Sequence, residues 1–62
     1  RVEIGIRLRN AVALGDVSEI QELAQHLMTG DIAEAAVGER INRLATNFDF
    51  DGLSELADSL AT

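Results

Sequence analysis

Leu14-Gly15-Asp16-Val17-Ser18-Glu19-Ile20-Gln21-Glu22-Leu23-Ala24-Gln25-His26-Leu27 decides the fold. It reads as the end of one helix, a tight turn and the start of another. Gly15 is the residue type that reaches left-handed backbone at little cost, which stops a helix. Asp16 is a capping residue, and Glu19 stands three positions on, at capping-box spacing. Val17, Ile20, Ala24, Leu27 and Met28 recur at helical period, with Leu23 on the shoulder of that stripe and Glu19, Glu22 and His26 opposite. The spacing predicts a helix from Val17 to about Met28.

Upstream, Val2, Ile4, Ile6 and Leu8 alternate with polar residues and Gly5, a strand-like pattern. No second alternating run exists for it to pair with, so a helix from about Ile4 to Leu14 is the better reading. Ile4, Leu8, Ala11 and Val12 then share a face, and Glu3 and Arg7 stand at i,i+4 in the favourable order. Residues 1–5 stay open between helix, strand and linker.

Downstream, Thr29-Gly30-Asp31 repeats the stop and cap, with Glu34 at box spacing. A third helix follows from Ile32 to about Asn47, turning Ala33, Val37, Ile41, Leu44, Ala45 and Phe48 inward. Gly38 within it costs about 1 kcal/mol against Ala. Glu39 and Arg43 can pair outside. Asp49 caps a fourth helix, Phe50 to about Ala61, with Phe50, Leu53, Leu56, Ala57 and Leu60 as its stripe.

An offset of thirty-three aligns Ile4–Leu27 with Val37–Leu60. The identical pairs are Gly5/Gly38, Arg7/Arg40, Asp16/Asp49, Glu22/Glu55, Leu23/Leu56, Ala24/Ala57 and Leu27/Leu60. That period suits one helix–turn–helix unit of a repeat protein, although any two amphipathic hairpins align to some degree. The expected fold is all-α: two αα-hairpins (1–28 and 32–62), four short helices forming a small bundle with a thirty-three-residue internal repeat, in one domain spanning 1–62. Arg on the first helix of each hairpin faces an acidic second helix.

Composition narrows the function. The chain has 62 residues, is 47% hydrophobic, carries a net charge of −6, and contains no Cys, Pro or Lys. With Phe48 and Phe50 as its only aromatics, the core is aliphatic and thin. Such cores supply about 3–5 kcal/mol. The acidic balance excludes nucleic acid, which needs a basic face, and a charged membrane surface. No apolar run approaches the roughly 18 residues of a membrane span. The absence of Cys suits a reducing, cytoplasmic setting. With no initiator Met, the chain is expected to be a piece of a longer one.

Three stretches resemble chemical motifs. His26-Leu27-Met28-Thr29-Gly30 resembles the His-x-Leu-Lys-Gly pattern of histidine phosphotransfer domains, which would make His26 a phosphoacceptor; it lacks the Lys, and Gly30 sits where a helix stops. Asn47-x-Asp49-x-Asp51-Gly52 with Glu55 and Asp58 resembles a calcium-binding EF-hand loop, with Asp58 in place of the bidentate Glu. Helix capping by Asp49, as by Asp16, accounts for the same residues. Asp58-Ser59-Leu60 matches the modified tripeptide of acyl carrier proteins, yet almost nothing follows it. No catalytic set has spacing support, so no enzyme, cofactor or metal is expected.

A wider pattern covers nearly the whole chain. Leu14-Gly15-Asp16-Val17, then Ile20, Leu23 and Leu27, then Ile41-Asn42-Arg43-Leu44-Ala45 and Phe48 leading into Leu53, resemble the helical segment at the extreme C-terminus of bacterial hybrid sensor histidine kinases and related response regulators. Ala36 or Val37 replaces the aromatic residue that family carries before its third helix. The resemblance implies a cytoplasmic, non-catalytic protein-interaction or regulatory module of a two-component signalling protein. Its partners would be other domains of the host chain or a second copy in a homodimer. Val2, Ile6 and Val12, left over from the core pattern, are the expected contact residues.

Overall fold

Two short turns of the same construction set the architecture. At the first, the Gly15 N–H donates to the Val12 carbonyl at 3.0 Å and the Asp16 N–H to the Ala11 carbonyl at 2.9 Å. At the second, Phe48 N–H donates to Ala45 at 3.0 Å and Asp49 N–H to Leu44 at 2.9 Å. Both are Schellman endings, in which a left-handed residue reverses the chain and satisfies the last carbonyls. Gly15 has φ 65°, as its residue type suggests, and Phe48 has φ 53°. In each turn the next residue is already the cap of the following helix. Asp16 Oδ1 accepts the Glu19 N–H, and Asp49 Oδ1 accepts the Gly52 N–H.

These turns and one loop divide the chain into four helices. The structure, a computed structural model, describes residues 2–62. Helix α1 spans Val2–Leu14, α2 Val17–Met28, α3 Ile32–Thr46 and α4 Phe50–Ala61. The ambiguous opening stretch is therefore helical from Val2, and Arg1 lies outside the described residues. Loop Thr29-Gly30-Asp31 ends α2 without left-handed backbone: the Gly30 N–H reaches the Leu27 carbonyl, and Thr29 Oγ1 donates to the His26 carbonyl at 2.7 Å. Asp31 and Glu34 close a reciprocal capping box, at 2.8 and 3.1 Å. The box expected at Asp16 and Glu19 forms only halfway, because the Glu19 carboxylate turns to Arg7 at 3.1 Å. The same contact removes Arg7 from its expected partner Glu3.

The helices form a four-helix bundle, but the closest pairs are not those of the two expected hairpins. Helix α1 packs mainly against α4, and α2 mainly against α3; α1 with α2 and α3 with α4 touch far less. The well-packed hairpin is thus the central one, α2–α3, and the chain termini close the bundle through α1–α4. The connection between α1 and α2 is two residues, Gly15 and Asp16, and the connection between α3 and α4 is three, Asn47 to Asp49. The Cα radius of gyration is 10.0 Å, close to the roughly 11 Å of a folded chain this long, so no part stands apart.

The buried core is Leu8, Ala11, Ile20, Leu23, Ala24, Leu27, Ile41, Ala45, Leu53, Leu56 and Ala57, with Ile4, Val12, Val37, Leu44, Phe50 and Leu60 packed around it. Leu23, expected on a shoulder, is central. Ala33 and Phe48, expected inward, are exposed. The two helical glycines mark the closest approaches. A Cβ on Gly5 would lie 2.5 Å from the Ala61 nitrogen and 2.9 Å from the Ala57 carbonyl oxygen. A Cβ on Gly38 would lie 2.6 Å from the Ala24 oxygen and 3.0 Å from Leu27 Cβ. Gly38 is therefore a contact residue between helices rather than a weak point in one.

Candidate interaction surface

What the core leaves outside is the first feature of the surface. Val2 is 50% exposed, Ile6 46%, Leu14 81%, Ile32 91% and Phe48 68%. Val2 and Ile6 are one turn apart on α1, so they share a face. Val12, grouped with them by sequence pattern, is instead half-buried against the core. Leu14 and Ile32 were not singled out by the sequence pattern, and Phe48 was expected inward. Each sits at a helix boundary, where an apolar stripe no longer predicts direction. For Phe48 a signal existed: it aligns with Gly15, the left-handed position.

Leu14 and Phe48 belong to the same end of the bundle. Helix α1 runs antiparallel to α4, since Gly5 meets Ala57, Leu60 and Ala61, and Arg9, one turn on, pairs with Asp58 at 2.9 Å. Helix α2 runs antiparallel to α3 across its three-residue loop. Both tight turns therefore lie opposite the Thr29–Asp31 loop and the chain ends.

His26 lies on the outer face of α2 and is exposed. It lines an open groove with Arg7, Ser18, Gln21, Glu22, Gln25 and Asn42. Glu22 lies one turn before it, and Arg7 is held by Glu19. A second groove is lined by Arg40, Asp49, Glu55, Leu56 and Ser59; four of its lining residues, Arg40, Glu55, Leu56 and Ser59, stand thirty-three positions after Arg7, Glu22, Leu23 and His26 of the first. There Ser59 stands where His26 does, and Arg40 forms no ion pair among the described residues.

The calcium-like stretch is dispersed by its own secondary structure. Asn47 ends α3 and Asp49 caps α4. Asp58 lies two turns into α4 with its carboxylate on Arg9. Among the described residues, no three His, Asp or Glu side chains converge on a metal-sized site. A small apolar dimple between Ile4, Leu27, Val37 and Leu60, beside Glu34, encloses about 40 Å³, room for a water or two and not for an organic ligand. Among the described residues, no helix is long and apolar enough to cross a membrane. Compared with known protein families, curated proteins and solved structures, the chain matches none.

Proposed function

We propose that this chain is a non-catalytic protein-interaction module, the helical tail of a cytoplasmic two-component signalling protein, acting by docking to another domain of its host or to a second copy. The observation that carries the reading is Phe48. A large aromatic side chain is exposed on a residue whose left-handed backbone costs an L-amino acid about 1–2 kcal/mol. Folding alone is better served by Gly there, as at Gly15. Aromatic residues held outward on a rigid turn suit an interface, where they dominate binding. Val2 and Ile6 add a second apolar patch at the other end of the bundle. The likeness of the two tight turns, and of the contacts around Gly5 and Gly38, supports reading the thirty-three-residue offset as a duplicated helix–turn–helix unit.

The test is sedimentation equilibrium of the 62-residue chain beside its Phe48→Gly and Ile6→Asp variants, with titration against isolated receiver and kinase domains of a hybrid sensor kinase. Association that weakens at least tenfold in either variant, with helicity intact, supports the reading. A chain that stays monomeric at millimolar concentration and binds neither domain overturns it.

The exposure of His26 on an open groove favours one rival, phosphotransfer. Incubation with a phosphorylated receiver domain decides that: label retained by the wild type and lost in His26→Ala supports a relay, and no label ends it.

A further inference from the structure

We infer that the surface joining residues 2–28 to residues 32–61 is also an interface between chains: two copies can exchange halves and form an intertwined dimer. This deepens the self-association reading above and names its mode.

The two major helix contacts, α1 with α4 and α2 with α3, both run between the halves, and the contacts within each half are minor. A half separated from the other would keep a turn and lose its core. The contacts are also reciprocal. Gly5 of the first half admits α4 of the second at Ala57, Leu60 and Ala61; Gly38 of the second half admits α2 of the first at Ala24, Leu27 and Met28. Ala57, Leu60 and Ala61 stand thirty-three residues after Ala24, Leu27 and Met28. The fully buried pairs Leu8 and Ile41, and Ile20 and Leu53, obey the same offset. Each half thus offers a glycine-bearing helix and receives one, the pattern of an isologous two-fold interface, here between two halves of one chain.

Only the loop Thr29-Gly30-Asp31 joins the halves. It is exposed, and no core residue belongs to it. If α2 and α3 separate at this loop, the first half of one copy packs with the second half of another, and every contact across the halves is remade. The dimer then differs from two monomers by the loop and by translational freedom. A short connection holds its ends at an effective concentration on the order of millimolar. The closed monomer therefore prevails in dilute solution, and the exchanged dimer where copies are crowded to that level. The loop's stop and cap, made by Thr29, Gly30, Asp31 and Glu34, keep the monomer closed.

The test replaces the stop and cap in the full chain: Thr29→Ala, Gly30→Ala and Asp31→Ala together. Residues 17–46 then favour one continuous helix of roughly 45 Å, in which α2 and α3 of the same chain cannot lie side by side. The expected result is a particle of twice the 6.7 kDa chain mass, with wild-type helicity, dimerising at least 100-fold more tightly than the wild type. The dimer survives the further change Ile6→Asp, which separates it from a dimer formed through Val2 and Ile6. A folded monomer overturns the inference, and so does an unfolded chain, since then the halves do not assemble between copies. A dimer abolished by Ile6→Asp overturns it too, while leaving the surface-docking reading in place.

Discussion

Phe48 repeats the backbone of Gly15. The two residues have φ of 53° and 65°, and each ends a helix by donating its N–H to a carbonyl three residues back at 3.0 Å. One turn is built with the residue that makes this conformation easily, the other with one that does not. The difference is a measurable store of strain at an exposed aromatic.

Phe48→Gly is expected to stabilise the fold by about 1 kcal/mol, the left-handed strain relieved less the chain entropy Gly adds. Thermal unfolding followed by circular dichroism should show a rise of several degrees, on a scale of roughly 4–8 °C per kcal/mol for so small a domain. Gly15→Ala should move the melting temperature in the opposite direction. If Phe48→Gly lowers it, the side chain supports the fold more than its exposure indicates.

For Gly38→Ala, helix propensity and packing point in opposite directions. Propensity favours Ala by about 1 kcal/mol. Packing opposes it, because the new methyl meets the Ala24 carbonyl oxygen, a backbone atom that cannot swing aside. Overpacking of this kind costs about 1–3 kcal/mol, so a net loss is expected. Gly5→Ala, which meets the backbone of α4 at Ala57 and Ala61, should be at least as damaging. Urea midpoints of both variants check the sign.

Asp31→Ala is expected to cost more than Asp16→Ala. Asp31 shares a reciprocal box with Glu34, and its loss also frees the Glu34 carboxylate. Asp16 accepts one N–H, and its Glu19 is engaged by Arg7. Cap removal costs about 1 kcal/mol; the two variants should bracket that figure in denaturant titrations, Asp31→Ala above.

Ile20→Ala and Leu53→Ala test whether the two halves bear equal weight. Both side chains are fully buried. Truncations of this type cost about 2–5 kcal/mol, comparable with the whole stability of about 3–5 kcal/mol that a core this small supplies. Far-ultraviolet circular dichroism at 25 °C should show both variants largely unfolded, and to a similar degree.

His26→Ala should leave stability within about 0.5 kcal/mol of the wild type, because the side chain is exposed and only the His26 backbone carbonyl is used, by Thr29. A larger loss in the urea midpoint would give the imidazole a structural role on its groove.

Helix positions and their ends were legible because they depend on neighbours within a turn. Asp16, Asp31 and Asp49 each cap the helix they precede in the sequence, and Gly15 stops α1 by its own conformational freedom. The apolar period likewise named Leu8, Ile20, Ala24, Ile41, Leu53 and Ala57 as core. Pairing was a different matter. An amphipathic stripe states that a helix must bury one face and not against which partner, so 1–28 and 32–62 looked like hairpins when α1 in fact seeks α4, and α2 seeks α3. The surface was read least well: Val12 went into the core margin, while Phe48 came out of it.

Local rules of capping, period and glycine freedom thus determined, from sequence alone, an all-α chain of four short helices, their boundaries apart from the start of the first, and most of their buried faces. The tertiary structure alone decided which faces meet, why Gly5 and Gly38 lack a side chain, and which apolar residues remain outside. Those answers rest on close approach between segments distant in the chain, where a clash of a single methyl group decides, and no spacing between neighbours encodes it.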